Sequence, residues 1–187
     1  MRKDLGVKAA LYPEPVLILS TYNEDGTADA MNAAWGFVLD NDKLGVILSH
    51  DHKTTANILK RKAVIVSIGT KKCVASWDYV GIVSANQEPH KFEQSGFHAL
   101  PSRHVDAPFI EELPLAIECV LDHYEEDKEL MVLAIRNVSV DESILDQDGK
   151  IDVNKLEPIS FDGFHNKYLL LKGEVAPAFK IGLTLKK

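Results

Sequence analysis

Apolar residues in the first third of the chain occur in short runs that are separated by turn residues. The runs at 15–22 and 44–50 are apolar and rich in β-branched side chains, which is typical of buried strands. Asp25-Gly26 follows the first run and predicts a hairpin turn. Residues 28–40 are therefore expected to form the returning strand, although their alanines favour a strand only weakly. Together the three segments predict an antiparallel meander.

Further runs extend this mainly β pattern. A strand is predicted at 63–69, and two long strands at 113–124 and 129–140 are joined by a short polar hairpin. One short helix is predicted at 54–62, and residues 73–96 have a mostly helical, irregular pattern. Most strands follow each other too closely for crossover helices, so the pattern favours an antiparallel β-barrel with a few peripheral helices.

Length and composition predict one soluble domain that spans residues 1–187. The chain has 187 residues, of which 45% are hydrophobic, and this is enough for one sizeable core. Its formal net charge of −7 argues against a nucleic-acid partner, because binding a polyanion requires a basic surface. No apolar run approaches the ~20 residues of a membrane span, and no signal-peptide pattern is found. We expect a cytoplasmic protein with no membrane partner.

The stretch SHDHKTTANI (residues 49–58) is the most chemically distinctive segment. His50 and His52 would share one side of an extended strand, but no third ligand is indicated nearby, so no metal site is expected. Alternatively, the free N–H groups of a helix start attract an anion. The side chains that would assist a phosphate monoester are those of Ser49, His52, Lys53, Thr54 and Thr55. A simple helix cap by Ser49 or Asp51 explains the residues equally well.

Other common functional motifs are missing from the sequence. There is no Gly-x-Ser-x-Gly elbow, Gly-rich phosphate loop or dinucleotide fingerprint. The segment DQDGKID (residues 146–152) does not fit a calcium loop, because Ile144 and Lys155 would fall on its first and last ligand positions. These observations argue against an NTPase, a Rossmann dehydrogenase and a calcium-loop protein.

Several segments together resemble one protein family over residues 12–179. The chain is similar to the flavin reductase-like proteins, FMN-binding split barrels, and within them to the flavoredoxin-type branch. The matching segments are YPEPVLILSTYNEDGTADAMNAAW, SHDHKTTANI, DYVG, HKFEQSGF and ISFDGFHNKYLLLKGEVAPAF. The resemblance implies an antiparallel split β-barrel and a homodimer with one FMN per subunit near the dimer interface.

The resemblance also implies the residues that would bind the cofactor. The segment MNAAW would lie along the edge of the isoalloxazine ring, and the helix start would hold the FMN phosphate. Lys91 and Phe164 match positions that approach the flavin, and Lys91 is a candidate donor near the flavin N1 and C2 oxygen. The full set is Met31, Asn32, Ala33, Ala34, Trp35, Ser49, His52, Lys53, Thr54, Thr55, Lys91 and Phe164.

The implied function is that of a flavin reductase-like oxidoreductase. Electrons would pass from NAD(P)H through FMN to a protein or small-molecule acceptor, and no catalytic side chain is required, because the cofactor carries the chemistry. One alternative is an FMN-binding electron carrier without its own NAD(P)H activity. Another is a flavin-binding module without turnover. An oxidase of a phosphorylated vitamin is disfavoured, because no second phosphate-binding cluster is found.

Overall fold

The computed structural model describes residues 1–186, and strands dominate it. The twelve strands are β1 (Glu14–Pro15), β2 (Leu17–Tyr22), β3 (Ala28–Ala33), β4 (Gly36–Asp40), β5 (Lys43–Ile47), β6 (Ala63–Ile68), β7 (Ala99–Pro101), β8 (Pro108–Ile110), β9 (Leu115–Glu125), β10 (Leu130–Val140), β11 (Ile159–Asp162) and β12 (Lys167–Leu170). The α-helices are α1 (Lys53–Arg61), α2 (Val74–Ile82), α3 (Lys91–Gln94) and α4 (Val153–Leu156). Three short 3-10 helices occupy Glu126–Lys128, Glu142–Ile144 and Ile181–Leu185.

Seven strands form a curled antiparallel sheet in the order β3-β2-β6-β9-β10-β5-β4. A second sheet has the order β1-β11-β12, and β7 pairs with β8. The predicted antiparallel split β-barrel with few helices is therefore confirmed. The predicted strands at 63–69, 113–124 and 129–140 correspond to β6, β9 and β10, and the predicted helix at 54–62 corresponds to α1.

The prediction that residues 28–40 form one strand is wrong. The segment divides into β3 and β4, which follow each other in the chain but lie at opposite edges of the sheet. The curled sheet brings its two edges together at residues 34–35, where the chain crosses between them. Gly36 permits this close approach, because an added Cβ would lie 2.2 Å from the Leu17 Cδ1 atom. The predicted three-stranded meander is consequently interrupted after β3.

Strand β2 is apolar on both faces because both faces are covered. Leu17 and Leu19 pack inside the barrel against β6, β10 and α1. Val16, which precedes the strand, and Ile18 point to the other side, where α2 and α3 cover them. Alternate side chains of a strand point to opposite faces. An unbroken apolar run is therefore the expected pattern for a strand between two hydrophobic clusters.

Helix α1 closes one end of the barrel interior. Its Ile58 side chain is fully buried in the interior cluster with Leu19 and Met131. The helix ends where Lys62 adopts a left-handed conformation, with φ of 60°, and its N–H bonds to the Ile58 carbonyl. This packing fixes the first turn of α1 beside β3. Within the described residues, no helix is long and apolar enough to cross a membrane.

Candidate functional site

Strand β3 and helix α2 form two walls of a cavity of about 210 Å³. The chain that leaves β3 contributes small side chains, so a flat ligand could approach the backbone of this edge strand. Three of the five residues predicted along the ring edge line this cavity, namely Asn32, Ala33 and Ala34. The full lining is Val16, Asn32, Ala33, Ala34, Asp78, Gly81, Ile82, Phe161 and Tyr168.

The side chain of Asn32 lies directly over a glycine of α2. Its Nδ2 atom donates to the carbonyl of Trp77 at 3.3 Å. A Cβ atom added at Gly81 would lie 2.1 Å from the Asn32 carboxamide. Gly81 is therefore the residue that lets Asn32 lie against α2 and keeps the floor of the cavity open.

An aromatic cluster forms the opposite wall of the same cavity. The hydroxyl of Tyr168 donates to Asp78 Oδ1 at 2.5 Å, and the Tyr168 ring meets Trp77 edge to face with centroids 4.6 Å apart. Burial and the bond to Asp78 raise the pKa of Tyr168 to about 12. Tyr168 therefore stays protonated at neutral pH and keeps its ring in a fixed orientation.

A second cavity, of about 380 Å³, lies on the other side of Phe161. Phe161 lines both cavities, and Trp35 and Phe164 contribute aromatic surface to the second one. Trp35 is 61% exposed and Phe164 is 43% exposed. The two sequence-predicted aromatic residues thus share one cavity, where Phe164 stacks on Tyr12 with ring centroids 6.3 Å apart and both rings keep exposed surface.

The turn that carries Phe164 is held by one carboxylate, Asp162. Its Oδ1 atom accepts from the Tyr12 hydroxyl at 2.5 Å and from the Phe164 N–H at 3.1 Å. Its Oδ2 atom lies 2.7 Å from His165 Nδ1. These hydrogen bonds, that from Tyr12 first, lower the pKa of Asp162 to about 2. Asp162 therefore joins the N-terminal segment to the aromatic turn.

The start of α1 presents free backbone donors. His52 occupies the N-cap position without a side-chain cap bond. Within residues 1–186, the N–H groups of Lys53, Thr54 and Thr55 have no hydrogen-bond acceptor, whereas Ala56 bonds to the His52 carbonyl at 3.1 Å. Three donors and the positive end of the helix dipole therefore point out of the helix, as an anion site requires.

The two threonine hydroxyls of this turn already have partners. Thr54 Oγ1 donates to Asp29 Oδ2 at 2.6 Å, and Thr55 Oγ1 donates to the Ser49 carbonyl at 2.8 Å. Both threonine side chains are buried. Because a hydroxyl has one proton to donate, each threonine can offer an anion its backbone N–H but not its hydroxyl proton.

The charged and polar side chains near the helix start differ in availability. Lys53 is half-buried, has no carboxylate within 4.0 Å in the described part of the chain, and lines a cavity of about 400 Å³. Ser49 is half-buried and His52 is exposed at the rim of this turn. His50 faces Asp51 at 3.0 Å and Glu129 at 3.7 Å. In residues 1–186, neither histidine belongs to a group of three potential metal ligands.

Lys91 lies beneath the end of α2 and is only 3% exposed. Its Nζ atom donates to the carbonyls of Val80 and Val83, each at 3.1 Å, and lies 3.6 Å from Asp29 Oδ1. Burial lowers the pKa of Lys91, and the neighbouring carboxylate opposes this shift. Lys91 is thus near the cavity floor but has its donors directed at protein groups.

Comparison with protein families identifies the fold as a known one. The model of the flavin reductase like domain matches residues 9–155. The chain belongs to this family. The predicted resemblance to flavin reductase-like proteins is therefore confirmed. The comparison with curated proteins gave no match.

Solved structures extend the similarity over almost the whole chain. Flavoredoxin of Desulfovibrio vulgaris (Miyazaki F) is 35% identical, with a TM-score of 0.92, and the match covers 97% of this chain and 100% of that one. Flavoredoxin from Methanosarcina acetivorans is 26% identical, with a TM-score of 0.86 and coverage of 98% and 100%. An FMN-binding domain of a flavin reductases-like enzyme from Shewanella baltica shares the fold at 17% identity, a TM-score of 0.79 and coverage of 88% and 89%.

Several residues that shape the site were missed by the sequence analysis. Asp29 had a visible signal, because it is the one charged side chain in the alanine-rich strand β3. Gly81 had a weaker one, as an isolated glycine in a helical pattern. Asp78, Asp162 and Tyr168 had none, because long-range contacts alone bring them to the cavities.

Asp162 should make folding stability pH-dependent in the acid range. A carboxylate with a lowered folded pKa stabilises the fold above its unfolded pKa of about 3.9, and this contribution is lost as pH falls towards the folded value. The parent should therefore be more stable than Asp162→Asn at pH 7, and the difference should shrink between about pH 4 and about pH 2. Urea unfolding of both proteins across this range measures the difference.

Asp127→Asn is the matched control, because Asp127 is an exposed carboxylate in the β9–β10 connection. The small effect of Asp127→Asn on the free energy of unfolding should not follow the pH profile expected for Asp162→Asn. A stability difference between the parent and Asp162→Asn that stays constant down to about pH 2 would contradict the role of Asp162.

Proposed function

We propose that the protein binds FMN with the phosphate at the start of α1 and the ring against β3 and α2. The observation that carries the proposal is the placement of both parts of the site on one strand. Asp29 of β3 contacts the first turn of α1, and Asn32 of the same strand lines the cavity. The two positions are roughly 10 Å apart along the strand. This separation suits a ligand with an anionic group and a planar ring at opposite ends of a flexible chain.

The shape and donor set of the site support FMN. Gly81 gives the Asn32 side chain room against α2, and β3 is an edge strand with unpaired backbone groups on its outer side. Asn32, Ala33 and Ala34 would lie along the ring, while Met31 packs towards the barrel interior. When bound, FMN would supply the electron-transfer chemistry, and the protein would orient it.

The remaining predicted residues have distinct proposed roles. Trp35 and Phe164 would form the aromatic surface beside the ring.

At the phosphate end, Lys53 would supply the positive charge for the phosphate, with Ser49 and His52 at the rim of the site. Thr54 and Thr55 would contribute backbone N–H groups. Lys91 would place a positive charge behind the ring, the location that favours a reduced, anionic flavin.

We propose that the holoprotein is an oxidoreductase that accepts electrons from NADH or NADPH and passes them on. The second cavity, of about 380 Å³ and bordered by Trp35, Phe161 and Phe164, offers aromatic surface for a second planar ring. The alternative is an electron carrier, which the similarity to two flavoredoxins favours. A cytoplasmic location remains a prediction for either function.

Anaerobic reduction distinguishes the two functions. We expect the holoprotein alone to bleach its flavin absorbance when NADH or NADPH is added, and to reoxidise when an acceptor such as free FMN or ferricyanide follows. Reduction by dithionite but by neither nicotinamide would establish a carrier and would contradict the reductase proposal. Reduction without reoxidation by any acceptor would indicate a binding module.

Lys53 provides the direct test of the phosphate position. Lys53→Ala should weaken FMN binding about 10- to 100-fold, because one charge-assisted hydrogen bond contributes roughly 1.5–3 kcal/mol. Riboflavin binding should change little, because riboflavin lacks the phosphate. Quenching of flavin fluorescence on titration of the apoprotein measures both affinities.

Lys60→Ala is the matched control, because Lys60 lies in the last turn of the same helix and pairs with Glu24 at 2.5 Å. It should leave FMN affinity unchanged. Parent-like FMN affinity in Lys53→Ala would place the phosphate elsewhere.

We further propose that the protein is a homodimer in which β4 is covered by the second copy. Strand β4 is an edge strand, and Phe37, Val38 and Leu39 are 47%, 76% and 47% exposed. Adjacent side chains point to opposite faces, so both faces of this apolar edge keep exposed surface within residues 1–186. Such edges associate unless they are protected. The neighbouring Trp35 would bring this interface next to the flavin.

Val38→Lys should convert the dimer to a monomer, because it places a charge in the middle of the apolar edge. Sedimentation analysis should give twice the 20.8 kDa chain mass for the parent and one chain mass for the variant. Val138→Lys, which changes a 49% exposed residue of β10, is the control and should remain dimeric. A monomeric parent would overturn the proposal.

A further inference from the structure

Asp29 is a buried carboxylate that lies between the two ends of the proposed flavin site. It is 1% exposed, and its Oδ2 atom accepts the hydroxyl of Thr54 at 2.6 Å. Thr54 belongs to the first turn of α1, so this bond ties the start of the helix to β3. Within the described residues, Asp29 Oδ1 has no hydrogen-bond partner and lies 3.6 Å from Lys91 Nζ.

Lys91 connects the same carboxylate to the end of α2. The carbonyls that it binds, those of Val80 and Val83, flank Gly81 and Ile82, which line the 210 Å³ cavity. Carbonyls in the last turn of a helix have no partner within the helix and require another donor. The ammonium group therefore holds the segment that forms the cavity floor.

We propose that Asp29 is a positioning residue that couples the phosphate end of the site to the ring end. Through Thr54 it holds the start of α1, and through the charge of Lys91 it holds the end of α2. The negative charge is needed because Lys91 is buried and Asp29 is the carboxylate beside it. Removal of one partner from a buried ion pair leaves the other charge uncompensated. The inference rests on the proposed binding of FMN.

Paired affinities for FMN and riboflavin test this role, because the two ligands differ only in the phosphate. Thr54→Val removes the bond at the phosphate end alone. It should weaken FMN binding about tenfold, the effect of one charge-assisted hydrogen bond, and riboflavin binding by less than about twofold. Asp29→Asn removes the negative charge that strengthens the contacts at both ends, and it should weaken both ligands by about tenfold or more.

A double-mutant cycle tests the coupling through Lys91. Asp29→Asn combined with Lys91→Met should bind riboflavin no more weakly than Asp29→Asn alone, because residues that act as one unit are non-additive. If the losses of riboflavin affinity in the two single variants instead add up in the double variant, Lys91 acts on the flavin independently of Asp29. That result would overturn the coupling. If Asp29→Asn does not fold, the FMN and riboflavin affinities of Thr54→Val still test whether Asp29 positions the phosphate end of the site.

Glu118→Gln is the matched control for general destabilisation. Glu118 is also fully buried, accepts from Asn137 and Ser139 at 2.6 Å each, and lines neither cavity of the ring site. It should lower the melting temperature and leave both flavin affinities unchanged.

Parent-like affinities in folded Asp29→Asn, or equal losses of FMN and riboflavin affinity in Thr54→Val, would overturn the inference. A parent apoprotein that binds neither flavin would instead overturn the proposed function itself.

Discussion

The crossing of the chain between the two edges of the curled sheet is the constraint on which the site depends. The crossing occurs at Ala34 and Trp35, and it requires Gly36 to pass against Leu17 with no room for a side chain. Because β3 and β4 then lie at opposite edges, neither has a second strand partner in the sheet within residues 1–186. The same crossing therefore leaves free backbone beside the cavity, an exposed Trp35, and an apolar edge for another chain.

A second consequence is that the site combines a rigid base with open walls. The inner side of β3 packs into the barrel, and the first turn of α1 is fixed there by the buried Asp29 and Thr54. Trp35 and Phe164, by contrast, are about half exposed. A buried, tightly bonded base holds a ligand in one orientation, whereas exposed aromatic walls leave room for a second molecule. This combination suits a protein that keeps one ligand and exchanges another.

The sequence predicted those parts of the structure that follow from local patterns. Strand β2, helix α1 and the β9–β10 pair have strong apolar periodicity or turn signals, and the structure contains all three. The division of residues 28–40 was not predictable in this way, because it follows from the closure of the barrel and not from local propensity. The site shows the same limit. The position of Lys53 at the helix start follows from local sequence, while Asp29 and Tyr168 depend on partners 25 and 90 residues away.

The electrostatics of the helix start also restrict what can bind there. The cavity beside Lys53 is lined by three carboxylates, those of Glu24, Asp25 and Glu93, and the whole chain has a formal net charge of −7. A long polyanion would meet these charges and be repelled. A single phosphate at the proposed position would contact Lys53 and the free N–H groups of the first turn, with Ser49 and His52 at the rim. The acidic surroundings therefore disfavour a polyanion more strongly than a small ligand with one terminal phosphate, which short-range hydrogen bonds would bind without a general positive field.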